Sequence, residues 1–172
     1  MLLPLLFAAF SMGEWTPYIC ADGNFIISTP GAFEKKDLEK ETKIGKIVNH
    51  TLWFWDKSPE ADNHLYYVTY TDYPPGTVHS DSTALLPDFW EATVTEAYSS
   101  LGGSEVYSGS QPFGEYPGMA WRFMYNNTKA STRARAFLVK NRLYIIQTIC
   151  KADHAMNKSS DRFLDSFRLI NQ

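Results

Sequence analysis

The chain is poor in the residues that build reactive centres. It has two cysteines and four histidines in 172 residues. His50, His64, His79 and His154 show no His-Glu-x-x-His spacing, and no Cys-x-x-Cys pair exists. Neither common zinc signature is therefore present, and no metal or other cofactor is expected. There is no Gly-x-Ser-x-Gly elbow either. Positive charge is not in excess: 16 Lys and Arg stand against 19 Asp and Glu, for a net charge of −3. A chain with no global basic field does not read as a nucleic-acid binder. No internal repeat and no low-complexity tract is visible.

Long apolar runs are also missing. The opening MLLPLLFAAFSMG is far too short to span a bilayer as a helix. It has the length of a signal-peptide core, with Ala9 and Ser11, or Ser11 and Gly13, as small residues for a cleavage site. No Lys or Arg precedes it, and a docked apolar segment is the competing reading. Residues 1–13 are thus expected to be a leader, and residues 14–172 one domain, exported or periplasmic and monomeric. An exported chain with two cysteines permits one disulfide, Cys20–Cys150. Cys20 precedes the first expected strand and Cys150 ends the last long one. Their ends meet only if those two strands are antiparallel neighbours. Two small buried thiols is the other reading.

What the chain does have is strands. Hydrophobic content of 44% with 15% aromatics is enough for a packed core. Phe25–Ser28 reads as a strand stopped by Thr29-Pro30-Gly31. The charged stretch 34–46 is read as a ragged edge hairpin, with a helix as the alternative. Ile44–Trp55 and His64–Tyr70 form the strongest hairpin. If Trp55 faces His64, then Trp53 faces Tyr66 and Phe54 faces Leu65, while His50 lies across from Thr69. Both faces carry large apolar groups, so the sheet is expected to be covered on both sides.

Two covering helices are available. Leu86, Trp90, Val94, Ala97 and Leu101 recur at helical spacing. Asp81 or Ser82 could cap that helix, although Pro87 argues for a later start. The second helix runs 159–167 with Ser159 or Ser160 as cap and Phe163, Leu164 and Phe167 inward. Between them lie strands 105–108, 119–125, 132–139 and 142–150. Lys140-Asn141 makes a two-residue turn that sets Phe137 opposite Tyr144. The expected class is α+β: a three-layer α/β/α sandwich around a central antiparallel sheet.

The order of short motifs carries a resemblance. Phe25-Ile26-Ile27-Ser28-Thr29-Pro30-Gly31 comes first, then Tyr70-Thr71-Asp72-Tyr73-Pro74 and Tyr116-Pro117-Gly118. Arg135 to Val139 with Asn141-Arg142-Leu143-Tyr144 follows, and Asp161-Arg162-Phe163-Leu164-Asp165-Ser166-Phe167 closes the series. In this order they resemble the MOG–PsbP superfamily, over nearly all of the chain after Asp22. The resemblance implies the sandwich fold and a non-enzymatic role. The superfamily's eukaryotic members include an extrinsic photosystem II subunit and a factor binding the GTPase Ran. Its many bacterial members are exported. No functional residue carries over by motif.

Site candidates come from the residues alone. Val78-His79-Ser80-Asp81 holds the residue types of a hydrolase, but neighbours in sequence make a poor triad, and a polar loop is the simpler reading. His154 beside Asp153 is a solvated loop before it is a ligand. The aromatics Trp53, Phe54, Trp55, Tyr66, Tyr67 and Tyr70 read as core, with a ligand platform as the alternative. Arg122, Arg133 and Arg135 are the most informative charges. Arg133 and Arg135 share a strand face, and Arg122 joins them if its strand pairs in the right register. Clustered guanidinium groups suit a carboxylate or phosphate, whereas ion pairing inside the fold would remove that role. The sequons at Asn49, Asn126 and Asn157 accept glycans only in a eukaryotic secretory pathway. The function expected is a binding or assembly-support domain for a protein or acidic ligand. A small hydrolase or an anion- or ligand-binding protein is the alternative.

Overall fold

The structure is a computed structural model that describes residues 14–170. The leader expected at 1–13 lies outside the described residues. Two antiparallel sheets and two helices are formed. β1 (Thr16–Cys20), β2 (Phe25–Thr29) and β10 (Arg168–Leu169) make a small sheet in the order β1-β2-β10. β3 (Glu34–Thr42), β4 (Gly45–Trp55), β5 (Leu65–Asp72), β6 (Ser104–Ser110), β7 (Gly118–Tyr125), β8 (Ala130–Val139) and β9 (Arg142–Lys151) make the large one. Its order is β3-β4-β5-β9-β8-β7-β6. α1 spans Leu86–Ser99 and α2 spans Lys158–Asp165.

The charged stretch 34–46 is an edge hairpin, with Thr42 paired to Gly45. Lysines and glutamates on an exposed edge strand discourage pairing with another chain. The β4–β5 hairpin is offset by one residue from the expected register. Trp55 pairs with Leu65, Phe54 with Tyr66, Trp53 with Tyr67 and His50 with Tyr70. The reason lies in the loop. Asp56 Oδ1 accepts the Ser58 N–H at 3.0 Å, and the Asp56 N–H donates to the His64 carbonyl at 2.9 Å. Asp56, not Trp55, therefore stands opposite His64. By contrast, the β8–β9 hairpin has the expected register, with Phe137 opposite Tyr144. Lys140 takes a left-handed φ of 55° to close that turn.

The offset does not exchange the two faces of β4, but it changes their company. Phe54 joins Tyr66 on the side of the small sheet, while Trp53 and Trp55 join Tyr67 and Leu65 on the side of α1. The two faces are covered unequally. On one, Phe25, Ile27, Phe163, Leu164 and Phe167 pack over Leu52, Val68, Tyr70, Tyr144 and Ile146. On the other, Trp90 and Val94 of α1 pack over Trp121, Phe123, Ala134, Ala136 and Leu138. The small Ala134 and Ala136 let the helix sit close. The first cover lies over β4, β5, β9 and β8, and the second over β7, β8 and β9. Part of each sheet face is left open: β6–β7 on the small-sheet side, and β4–β5 on the α1 side.

The caps differ from expectation. α1 begins at Leu86 with Pro87 in its first turn, and no side chain caps it. Asp81 and Ser82 lie in the preceding turn instead. The Gly103 N–H closes the helix onto the Tyr98 carbonyl at 2.9 Å. α2 is capped two residues before Ser159 and three before Ser160: Asn157 Oδ1 accepts the Ser160 N–H at 2.7 Å. Ser160 Oγ donates to Asn63 Oδ1 at 2.8 Å and meets Thr148 Oγ1 at the same distance. This buried network ties α2 to the loop before β5 and to β9.

Candidate functional site

β7 and β8 are joined by a loop whose residues Asn126, Asn127 and Thr128 all take positive φ, at 53°, 52° and 65°. Asparagine tolerates that region better than most residues. The loop sets Tyr125 opposite Ala130 and therefore Arg122 opposite Arg133. Ala120, not Arg122, stands opposite Arg135. Period-two alternation puts all three arginines on the small-sheet side, so the structure does bring them together.

α2 crosses that face. Arg133 and Arg135 are two strand residues apart, about 6.6 Å. Asp161 and Asp165 are one helical turn apart, a nearly equal distance. The two spacings match, and two ion pairs form. Arg133 Nη2 meets Asp161 Oδ1 at 2.9 Å, and Arg135 Nη1 meets Asp165 Oδ1 at 2.6 Å. Arg135 also donates to the Leu164 carbonyl at 3.5 Å. Arg135 is thus taken up by the fold, as the ion-pairing reading requires.

Arg122 is not. Its Nε donates to Ser131 Oγ at 3.1 Å and its Nη2 approaches Met124 Sδ at 3.7 Å. Among the described residues it makes no ion pair. Arg133 is only half served: its side chain is 12% exposed, and its Nε and Nη1 are buried without a partner. Two cations on directly opposite residues repel each other unless negative charge lies near both. Asp161 supplies some of it from the α2 side. On the β6 side Tyr107 stands opposite Arg122 and is exposed. Nε and Nη1 of Arg133 are enclosed donors that find no acceptor among the described residues. The ion-pairing acids, Asp161 and Asp165, have a sequence signal that the arginines alone do not: an i, i+4 carboxylate pair matching an i, i+2 arginine pair.

The cysteines do not pair. Both thiols are free and buried. Cys20 sits by Gly23 and Phe25 in the small sheet, whereas Cys150 is near the end of β9, with Sγ 3.7 Å from the Ser131 carbonyl oxygen. The expected bridge assumed that the first and last long strands are neighbours. Instead β1 pairs with β2, and β9 lies between β5 and β8. Burial pushes the Cys150 thiol up to about 11, against the opposing pull of Arg122 and Arg133. A thiol so raised is a weak nucleophile at neutral pH. In a thiol titration with a disulfide-exchange reagent at pH 8, both cysteines should react fully only after denaturation. One fast-reacting thiol in the native protein would contradict the buried environment.

The other candidates scatter. His79 Nδ1 accepts the Asp81 N–H at 3.2 Å, and Ser80 Oγ approaches the same aspartate, Oδ1, at 3.5 Å. That is a loop closed on itself, with the aspartate between the other two. His50 stacks on Tyr70 with ring centroids 4.6 Å apart and bonds Asp37 at 2.8 Å, within the sheet. The aromatic run divides: Phe54, Tyr66 and Tyr70 belong to the core, while Trp53, Trp55 and Tyr67 lie on the part of the sheet that α1 leaves open.

No family model and no curated protein matches the sequence. The fold does have a counterpart. The chain superposes on the solution structure of cyanobacterial PsbP (CyanoP) from Synechocystis sp. PCC 6803 with a TM-score of 0.59. The match covers 94% of this chain and 95% of that one, at 12% identity. The fold is PsbP-like, mostly antiparallel sheet with two helices. At this identity the likeness speaks to the fold alone.

Proposed function

We propose that this chain is a non-enzymatic, exported binding domain, and that its Arg122–Arg133 face takes an anionic group of a partner. One observation carries the reading. Among the described residues, Arg122 stands opposite Arg133 with no carboxylate of its own, and two donors of Arg133 are buried and unspent. A carboxylate or phosphate placed between the guanidinium groups would satisfy those donors and relieve the repulsion. Arg135, already paired with Asp165, serves to hold α2 against the sheet and not to meet the ligand. Residues 14–172 act as one domain, read as three layers in which α1 forms one and α2 with the small sheet another. The PsbP-like fold supports a role without catalysis. So does the chemistry of the face, which offers donors and a protonated Cys150 thiol but no nucleophile set beside a base. Export rests on the apolar run Leu2 to Phe10. An intact Met1 in protein from a cytoplasmic fraction would count against it.

The binding claim is tested with an aspartate-rich peptide as probe, by calorimetry at low and at high salt. Arg122→Ala should weaken binding about tenfold. Raising the salt should weaken it for the native chain more than for the variant. Affinity that responds to neither change removes the site.

A further inference from the structure

The α1-side face of the large sheet is only half covered. Beside α1 runs a trough floored by β4, β5 and β9. Its first part, about 400 Å³, is lined by Ile47, Thr69, Phe89 and Ile145, with Lys40 from β3 and Glu96 from α1 as its charged residues. A deeper part of about 180 Å³ lies under the last turn of α1, against Tyr67, Ala97, Trp121 and Gln147. A third part of about 400 Å³ continues to Trp53, Trp55 and Leu65. The first and the deep part adjoin at Thr69, Ala97 and Ile145, and the deep and the third part adjoin at Tyr67. From Asn49 to Trp55 it is about 20 Å long.

Three features say what fits it. The floor sets Trp53, Leu65, Tyr67 and Ile145 among Thr51, Thr69 and Gln147, and Trp55 is 55% exposed at its far end. Trp121 lines the deep part, and its Nε1 is buried without an acceptor among the described residues. Lys36 and Lys40 both project to this side of β3, because Lys36 pairs with Thr51 and Lys40 with Ile47. Among the described residues neither lysine makes an ion pair. An extended peptide laid across a sheet face would leave its backbone groups unpaired, since a sheet offers ladder bonds only at its edge. A single chain without backbone polar groups has no such cost.

The geometry points to a second binding site, for one molecule of an anionic acyl amphiphile. Its acyl chain lies along the trough, an ester or amide carbonyl accepts from Trp121 Nε1, and its anionic headgroup meets Lys36 and Lys40. Cavities of this size are the usual form of a small-molecule site. This site is separate from the arginine face, which lies on the other side of the sheet.

The test uses the full chain and a medium-chain lysophosphatidylglycerol below its micelle concentration, read by tryptophan emission and calorimetry. One molecule should bind per chain, with a blue shift from Trp53 and Trp55. The double change Lys36→Gln with Lys40→Gln should weaken binding about fivefold. The zwitterionic choline analogue of equal chain length should bind the native protein as weakly as that variant binds the probe. Ala97→Trp fills the junction of the first and the deep part and should abolish binding, and Thr69→Phe does so from the sheet side. Whichever of these two keeps the native circular dichroism and melting point serves as the blocked form. Binding that survives in the blocked form overturns the proposal, as does equal affinity for the choline analogue. Binding only to phosphatidylglycerol vesicles and not to the monomer would assign the face to a membrane surface instead. A dimer that Trp55→Ser dissociates and the lysolipid does not would assign it to a second copy of the chain.

Discussion

Phe25→Ala should be the most damaging single substitution in the small sheet, costing about 4 kcal/mol. Phe25 is fully buried. It stacks on Phe167 with ring centroids 5.4 Å apart and meets Tyr70 and Tyr144 edge-on, each at 6.2 Å. Those partners come from three places: the segment after α2, β5 and β9. Phe25 is therefore where the small sheet, the C-terminal segment and the large sheet are fastened together. Around it, few bonds could compensate. The Tyr144 hydroxyl donates to the Gly23 carbonyl at 2.8 Å, and Arg142 donates to the Asp22 carbonyl at 2.9 Å. Both depend on the 20–25 turn staying in place, and the phenyl ring helps to hold it. For a domain of this size the loss should lower the melting temperature by roughly 8–16 °C. Thermal unfolding followed by near-ultraviolet circular dichroism measures it. A fall of only a degree or two would mean that the small sheet is not an integral part of the core.

The PsbP-like fold was legible because the motif order spans nearly all of the chain after Asp22, and because a two-residue turn leaves a hairpin little choice. Lys140-Asn141 set the β8–β9 register correctly for that reason. The loop at 56–63 does not have that property. A polar loop of this length closes in either of two registers, and the choice fell to an Asp56–Ser58 hydrogen bond that composition does not reveal. β1 carries Pro17 and exposes most of its residues, and β10 is two residues long, so neither has a periodic signal. Asn157 was passed over as a cap because Ser159 and Ser160 are also capping residues. What decided it was the long-range partner Asn63, 94 residues away. At the site, the shared face of Arg133 and Arg135 follows from period two alone. Which residue stands opposite Arg122 does not, because it depends on three successive left-handed residues in the 126–129 loop. The pairing of Arg135 with Asp165 belongs to the contact between α2 and the sheet, which local pattern cannot supply.

Asp161→Ala should destabilise the fold by about 2 kcal/mol, although Asp161 itself is 54% exposed. The cost does not lie in the aspartate. It lies in Arg133, whose side chain would remain in the same enclosed position with its one carboxylate gone and Arg122 directly opposite. Removing one partner of an enclosed ion pair leaves a charge without compensation, whereas replacing the charge by an apolar group of similar length does not. Arg133→Met should therefore be close to neutral, and the double variant Asp161→Ala with Arg133→Met should recover most of what Asp161→Ala loses. Urea unfolding of the four proteins gives the coupling directly. The same series bears on function. With Asp161 gone, Arg133 gains a third unspent donor, so an added polyanion should stabilise Asp161→Ala more than the native chain. It should stabilise Arg133→Met less than either. If the double variant is as unstable as Asp161→Ala alone, Asp161 acts as a helix residue of α2 and not as the counter-charge of Arg133. If polyanion protects all four proteins equally, the anion is bound elsewhere on the molecule.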